Sequence, residues 1–103
     1  MNEFALHPDA VKDLQEIWDY IAADNLEAAD RVREEIFDAI LSLIPFPSVG
    51  HSRPDLTSRS LRFQTVREYV IAYAADEKPL TVIAILHGRR SPRVIAAILR
   101  SRT

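Results

Sequence analysis

The spacing of apolar residues divides this chain into three parts. Phe4 and Leu6 alternate with Glu3 and Ala5, which predicts a short strand at a sheet edge or beside a longer strand. Val11, Leu14, Ile17, Trp18 and Ile21 then recur at helical spacing. Pro8 suits the first position of that helix, and His7 before it is a weaker cap than Ser or Thr. Asp9, Asp13 and Glu16 lie early in the helix, where its dipole favours negative charge. Asp24-Asn25 interrupts the pattern, and Asn25 is suited to cap a second helix. The stripe of that helix is Ala29, Val32, Ile36, Ala39, Ile40 and Leu43, widened by Phe37, Leu41 and Ile44. So short a link predicts two antiparallel helices in contact. Pro45-Phe46-Pro47 stops the second helix, and a polar connection runs from Ser48 to Arg59.

From Leu61 the period returns to two. Leu61, Phe63 and Thr65 alternate with Arg62 and Gln64, the pattern of a half-buried strand. In Tyr69 to Ala75, Tyr69, Ile71 and Tyr73 fall on one face and Val70, Ala72 and Ala74 on the other. Asp76-Glu77-Lys78-Pro79 reads as a turn. Leu80 to His87 is a nearly continuous apolar run, predicted to be the central strand. Strict alternation would place Leu80, Val82, Ala84 and Leu86 opposite Thr81, Ile83, Ile85 and His87. Short connections predict an antiparallel meander. Ser91-Pro92 then opens a final helix with Val94, Ile95, Ile98 and Leu99 as its stripe.

The expected fold is α+β, one domain over residues 1–103. An N-terminal strand and an antiparallel helical hairpin pack on a small antiparallel sheet, in the order β-α-α-β-β-β, with a C-terminal helix. The meander is apolar on both faces, so the hairpin covers only one. The other requires the final helix, a second subunit or a bound partner to remove it from water.

Composition narrows the classes. The chain has 103 residues, 48% of them hydrophobic, with two glycines and no cysteine. That argues for a core built without disulfides and against disorder or thiolate chemistry. No basic, apolar leader pattern is evident at the N-terminus and no apolar run is long enough to cross a bilayer, so a cytoplasmic location is expected, with no membrane contact. The net charge of −2 conceals a strong polarity. Residues 1–50 hold three Lys or Arg against eleven Asp or Glu; residues 51–103 hold ten against four. A cationic second half suits an acidic partner, nucleic acid or an acidic protein segment, or else is a solvated surface balancing the first half.

Candidate chemistry is sparse. His7, His51 and His87 stand on separate elements without acidic partners at ligand spacing, so no metal site and no cofactor is expected. There is no phosphate-binding glycine loop and no nucleophile elbow. What remains is a set of cations near strand ends, Arg62, Arg67, His87, Arg89 and Arg90, with Tyr69 and Tyr73. Guanidinium groups match phosphate geometry. His87 as acid or base, with arginines stabilising charge, would suffice for metal-free RNA cleavage. Trp18 and Phe37 read as core residues.

In order along the chain, several pieces form a recognisable set. They are Leu6-His7-Pro8 leading into Asp13-Leu14-Gln15-Glu16-Ile17-Trp18-Asp19-Tyr20-Ile21, then Asn25 to Ala29, Phe46-Pro47-Ser48-Val49-Gly50 and Arg53-Pro54. Leu61-Arg62, Val66, Tyr69 to Tyr73 and Leu86-His87-Gly88-Arg89-Arg90 complete it. The succession resembles the RelE/ParE superfamily of toxins from type II toxin–antitoxin systems, and the ParE-like branch more than the RelE-like one. His7 departs from the usual Ser or Thr, Leu26 from a common Pro, and Arg67-Glu68 from the usual Gly-Arg turn. After Arg90 there is no Tyr or His, so the late catalytic residue of the ribonuclease branch has no equivalent.

The resemblance implies a growth-inhibiting toxin acting on DNA gyrase and neutralised by a cognate, co-encoded antitoxin, with no catalytic residue of its own. It also implies a homodimer or a toxin–antitoxin hetero-oligomer. The alternatives are an mRNA interferase using His87, Arg62, Arg89 and Arg90, or an inactive antitoxin-binding module. Expected contacts with target or antitoxin are the cations Arg62, Arg67, Arg89 and Arg90. The expected apolar antitoxin contacts are Leu14, Trp18, Ile21, Ile83 and Ile85.

Overall fold

The computed structural model describes residues 3–103. Strand β1 (Phe4–Leu6) leads into helices α1 (Pro8–Ala22) and α2 (Leu26–Leu43). A single 3₁₀ turn (Pro47–Val49) follows, then β2 (His51–Ser52), β3 (Leu61–Val66), β4 (Tyr69–Ala74), β5 (Leu80–His87) and α3 (Pro92–Ser101). All three helix starts are capped by side chains. His7 accepts from the Asp9 N–H at 3.0 Å, Asn25 from Ala28 at 3.0 Å and Ser91 from Val94 at 3.2 Å. His7 is thus a working cap, because its ring also reaches the Thr103 carbonyl through Nε2, 3.3 Å away, which fixes its orientation.

The five strands form one sheet in the order β1-β5-β4-β3-β2. The meander β3-β4-β5 is antiparallel, as its short connections require. The sheet as a whole is mixed rather than antiparallel, because β1 lies parallel to β5 with Phe4 opposite Leu80 and Leu6 opposite Val82. The helical hairpin carries the chain from β1 to the far edge of the sheet, and β2, β3 and β4 bring it back to lay β5 beside β1. The two-residue strand β2 lies in the stretch expected to be loop, held by pairing His51 with Phe63 and Ser52 with Arg62.

The helical hairpin buries Ala10, Leu14, Val32, Ile36, Ile40 and Leu43 against Tyr69, Ile71, Tyr73, Leu80, Val82 and Ile85. Val11, expected in the α1 stripe, is half exposed. The buried phase is Ala10-Leu14 with Ile17 and Ile21 behind, which moves Val11 to the flank. The opposite sheet face is covered from within the chain. Ile95 and Leu99 of α3, with Leu56 from the long connection, pack on Phe63, Ala72, Ile83, Ala84 and Leu86. That resolves the second-face question in favour of the final helix.

Strict alternation fails in β5. The pairing steps from Ala72 with Ala84 to Tyr73 with Val82, so Ile83 is an extra, bulged residue. Leu80 and Val82 face the hairpin, Ile83 and Ala84 both face α3, and Ile85 returns to the hairpin side. The bulge is what brings Ile85, and after it His87, to the α1 side of the sheet.

Candidate functional site

β1 covers β5 only as far as Val82, whose carbonyl accepts from the His7 N–H at 2.8 Å. Beyond it, no strand among the described residues lies on that side of β5. An open edge exposes unpaired backbone groups. Here an ion pair satisfies them. The Ile85 N–H donates to Asp13 Oδ2 at 3.0 Å, and Arg102 Nη1 donates to the Ile83 carbonyl at 3.1 Å. Arg102 also holds both carboxylate oxygens of Asp13, with Nη2 to Oδ1 at 2.9 Å. Hydrogen bonding to Asp13, opposed by burial, raises the Arg102 pKa.

Alongside this edge runs a groove of about 510 Å³. One wall is Asp13, Glu16, Ile17 and Tyr20 of α1; the other includes Glu68, Tyr69, Ile85, His87, Arg89 and Arg90. His87 is opposite Tyr69 in the ladder, and the two rings meet edge to face with centroids 5.5 Å apart. Each imidazole nitrogen has a neighbour. Nδ1 accepts from the Arg89 N–H at 3.1 Å, and Nε2 stands 3.4 Å from the Glu68 carboxylate. Burial first, then the charge of Glu68, raises the Tyr69 pKa. Tyr69 therefore faces the groove as a phenol, a donor rather than a base.

The expected cation set divides. His87, Arg89 and Arg90 share the groove, whereas Arg67 and Arg62 are committed elsewhere. Arg67 makes a bidentate pair with Glu35 of α2, at 2.6 and 2.8 Å. The two-residue turn Arg67-Glu68 joins Val66 to Tyr69, and Arg67 has φ 54°, a left-handed conformation that favours glycine. The departure from a Gly-Arg turn is therefore accommodated by an arginine anchored to α2. Arg62 donates to the Gly50 carbonyl at 2.8 Å. Tyr73, fully buried, accepts from the Gly50 N–H at 2.9 Å and donates to the Pro47 carbonyl at 2.7 Å. Arg62 and Tyr73 thus fasten the connection after α2 to the sheet.

The expected apolar contacts also divide. Leu14, Ile83 and Ile85 are buried in the chain's own core, at 7%, 3% and 1% exposure, so none presents its side chain to a partner in this conformation. Trp18 and Ile21 are half buried. The Trp18 indole donates to Asp30 at 2.9 Å, and the Arg33 guanidinium lies 5.7 Å from its ring centroid, so this residue also clasps α1 to α2. Residues that pattern reading missed are Asp13 and Arg102, Glu35, Glu68 and Gly50. Only Asp13 left a sequence signal, an acid on the otherwise inward side of α1. Among the described residues, no group of three or more His, Asp or Glu is gathered to hold a metal, and no helix is long and apolar enough to cross a membrane.

A family model described as the ParE toxin of type II toxin-antitoxin system, parDE, matches residues 4–92, from β1 to the first residue of α3. A search of curated proteins gave no match.

Proposed function

Because this chain belongs to the ParE toxin family of type II toxin–antitoxin systems, we propose that it arrests growth by acting on DNA gyrase and that a co-encoded antitoxin holds it silent. The match over residues 4–92 carries this reading. The geometry of the groove supports a binding toxin over a nuclease. A nuclease needs a free acid or base and converging cations. Here His87 Nδ1 accepts from a backbone N–H and Nε2 lies 3.4 Å from Glu68, Arg67 is paired with Glu35, and Arg62 holds a backbone carbonyl, so Arg62 and Arg67 do not converge on His87. Purified protein is expected to block gyrase supercoiling or to trap cleaved DNA.

The antitoxin is proposed to lie along the α1 side of the groove. Of the expected apolar contacts, Leu14, Ile83 and Ile85 lie in the core, and Trp18 and Ile21 are half buried and lie off the groove, whose α1 wall presents Ile17 and Tyr20; Arg89 and Arg90 are exposed on the facing wall. Hydrogen exchange checks this: the antitoxin should add protection in α1 and in residues 83–87, and protection confined to other segments contradicts it.

A second reading, an mRNA interferase, is favoured by one observation: His87, Arg89 and Arg90 line the same groove as Tyr69. It requires cleaved transcripts on induction and their disappearance in His87→Ala.

A further inference from the structure

Helix α3 lies almost wholly outside the family match, yet it has a buried face and a distinct outer one. Ile95 and Leu99 are spent on the sheet. The outer face and the loop before it hold Arg89, Arg90, Arg93 and Arg100, all exposed. Among the described residues, none of these four side chains makes a hydrogen bond or an ion pair. By contrast, Arg53 is paired with Asp55, Arg67 with Glu35 and Arg102 with Asp13. No acidic residue occurs between Lys78 and Thr103. Glu16 and Glu68 share the groove with Arg89 and Arg90, and Asp55 shares a cleft with Arg100, but among the described residues none of them pairs with these arginines.

Arg93 and Arg100 are seven residues apart, two helical turns or about 10.5 Å along one side of α3. Exposed Ala97 lies between them, so a large anion meets no bulk there. Helix α3 itself lacks what a protein partner uses as an anchor, in contrast to the groove beside Arg89 and Arg90, where Tyr20 is exposed. Residues 88–103 contain no aromatic, and Val94 is the only exposed large apolar residue among them. The helix also carries no aromatic platform on which single strands stack their bases; Tyr20 and Tyr69 lie in the groove beside Arg89 and Arg90, off the helix. Rigidly spaced, unpaired arginines on a flat helix suit the phosphates of a duplex, for which charge alone supplies sequence-independent binding.

We propose that Arg89, Arg90, Arg93 and Arg100 form a surface that binds the phosphate backbone of duplex DNA without reading its sequence. The choice of DNA over duplex RNA rests on the gyrase reading; the charge geometry does not. The test is fluorescence anisotropy with a short labelled DNA duplex and the intact protein, in the absence of gyrase, so its outcome is separate from any supercoiling result. Binding should weaken about 100-fold as salt rises from about 50 to about 200 mM, since each neutralised phosphate contributes about 0.9 to the logarithmic slope. Arg93→Ala/Arg100→Ala and Arg89→Ala/Arg90→Ala, each checked for folding by circular dichroism, should each reduce that slope by nearly two. Absence of binding at about 50 mM salt, unchanged slopes in both variants, or tighter binding to single-stranded RNA or a polyglutamate peptide than to the duplex overturns the proposal.

Discussion

Asp13 and Arg102 are 89 residues apart in sequence, and together they complete the open edge of the central strand. The carboxylate takes the Ile85 N–H and the guanidinium takes the Ile83 carbonyl, where a further strand would otherwise bond. Each side chain is only 11% exposed. Removing one partner leaves the other charge desolvated and a strand edge unpaired. Arg102→Ala should therefore destabilise the fold by about 3 kcal/mol, toward the low end for breaking buried pairs because both groups keep some water. Asp13→Asn should destabilise as well: the amide oxygen can still accept from Ile85, but its NH2 then faces an Arg102 donor and that charge loses its counter-ion. Urea unfolding of both variants checks this; wild-type stability in either would mean that the pair is not the fastening described.

Tyr73 and Gly50 make a second test. A Cβ built on Gly50 would lie 2.5 Å from the Tyr73 hydroxyl and 3.0 Å from the Phe63 carbonyl. Gly50→Ala should destabilise through this collision. Tyr73→Phe should cost about 1–3 kcal/mol, by leaving the Gly50 N–H and the Pro47 carbonyl without their buried partner. The double variant should be less damaged than the two losses added, because removing the hydroxyl relieves part of the clash. Simple additivity in thermal or urea unfolding would show that the contact is not shared.

Arg67 tests the hairpin turn. Its left-handed φ suits glycine, and its side chain is held by Glu35. Arg67→Val should lower the melting temperature more than Arg67→Gly, because a β-branched residue tolerates φ 54° least. Equal losses would mean that the ion pair matters and the backbone does not.

Two carboxylates give the stability a pH dependence. The Arg67 hydrogen bond lowers the Glu35 pKa from 4.5, and the Arg53 hydrogen bond lowers that of Asp55 from 3.8. A depressed carboxylate stabilises the folded chain above its unfolded pKa, and that contribution is lost as pH falls through the folded value. The melting temperature should thus fall as acid is added below about pH 4.5, and Glu35→Gln should flatten part of the fall. A variant with the wild-type profile would contradict the assignment.

Much of this architecture is written in local patterns. Asn25 and Ser91 cap the helices that follow them, the faces of β4 fall as alternation predicts, and Ile95 and Leu99 give the inner face of α3. What is not written is long-range. Every residue from Val82 to Leu86 is apolar, so no polar position marks the bulge at Ile83, which breaks the alternation of the β5 faces. The cations at strand ends look alike in sequence; only packing shows that Arg67 belongs to Glu35 and Arg62 to Gly50, while the Arg89 and Arg90 side chains have no partner among the described residues. Arg102 reads as one more basic residue of a solvated helix until the fold returns it to Asp13.

His87 separates the two activities. Its Nδ1 accepts from the Arg89 N–H and its Nε2 lies 3.4 Å from Glu68, a setting that orients the loop carrying Arg89 and Arg90. His87→Ala should keep substantial growth inhibition on induction, with transcripts intact. Loss of toxicity together with loss of transcript cleavage would favour the nuclease reading instead.

The most direct test of the account is supercoiling by purified DNA gyrase on relaxed plasmid, with this protein titrated to excess. The account predicts that supercoiling fails or that cleaved DNA accumulates, and that addition of the antitoxin restores normal supercoiling. Undiminished supercoiling at an excess of well-folded protein would contradict it.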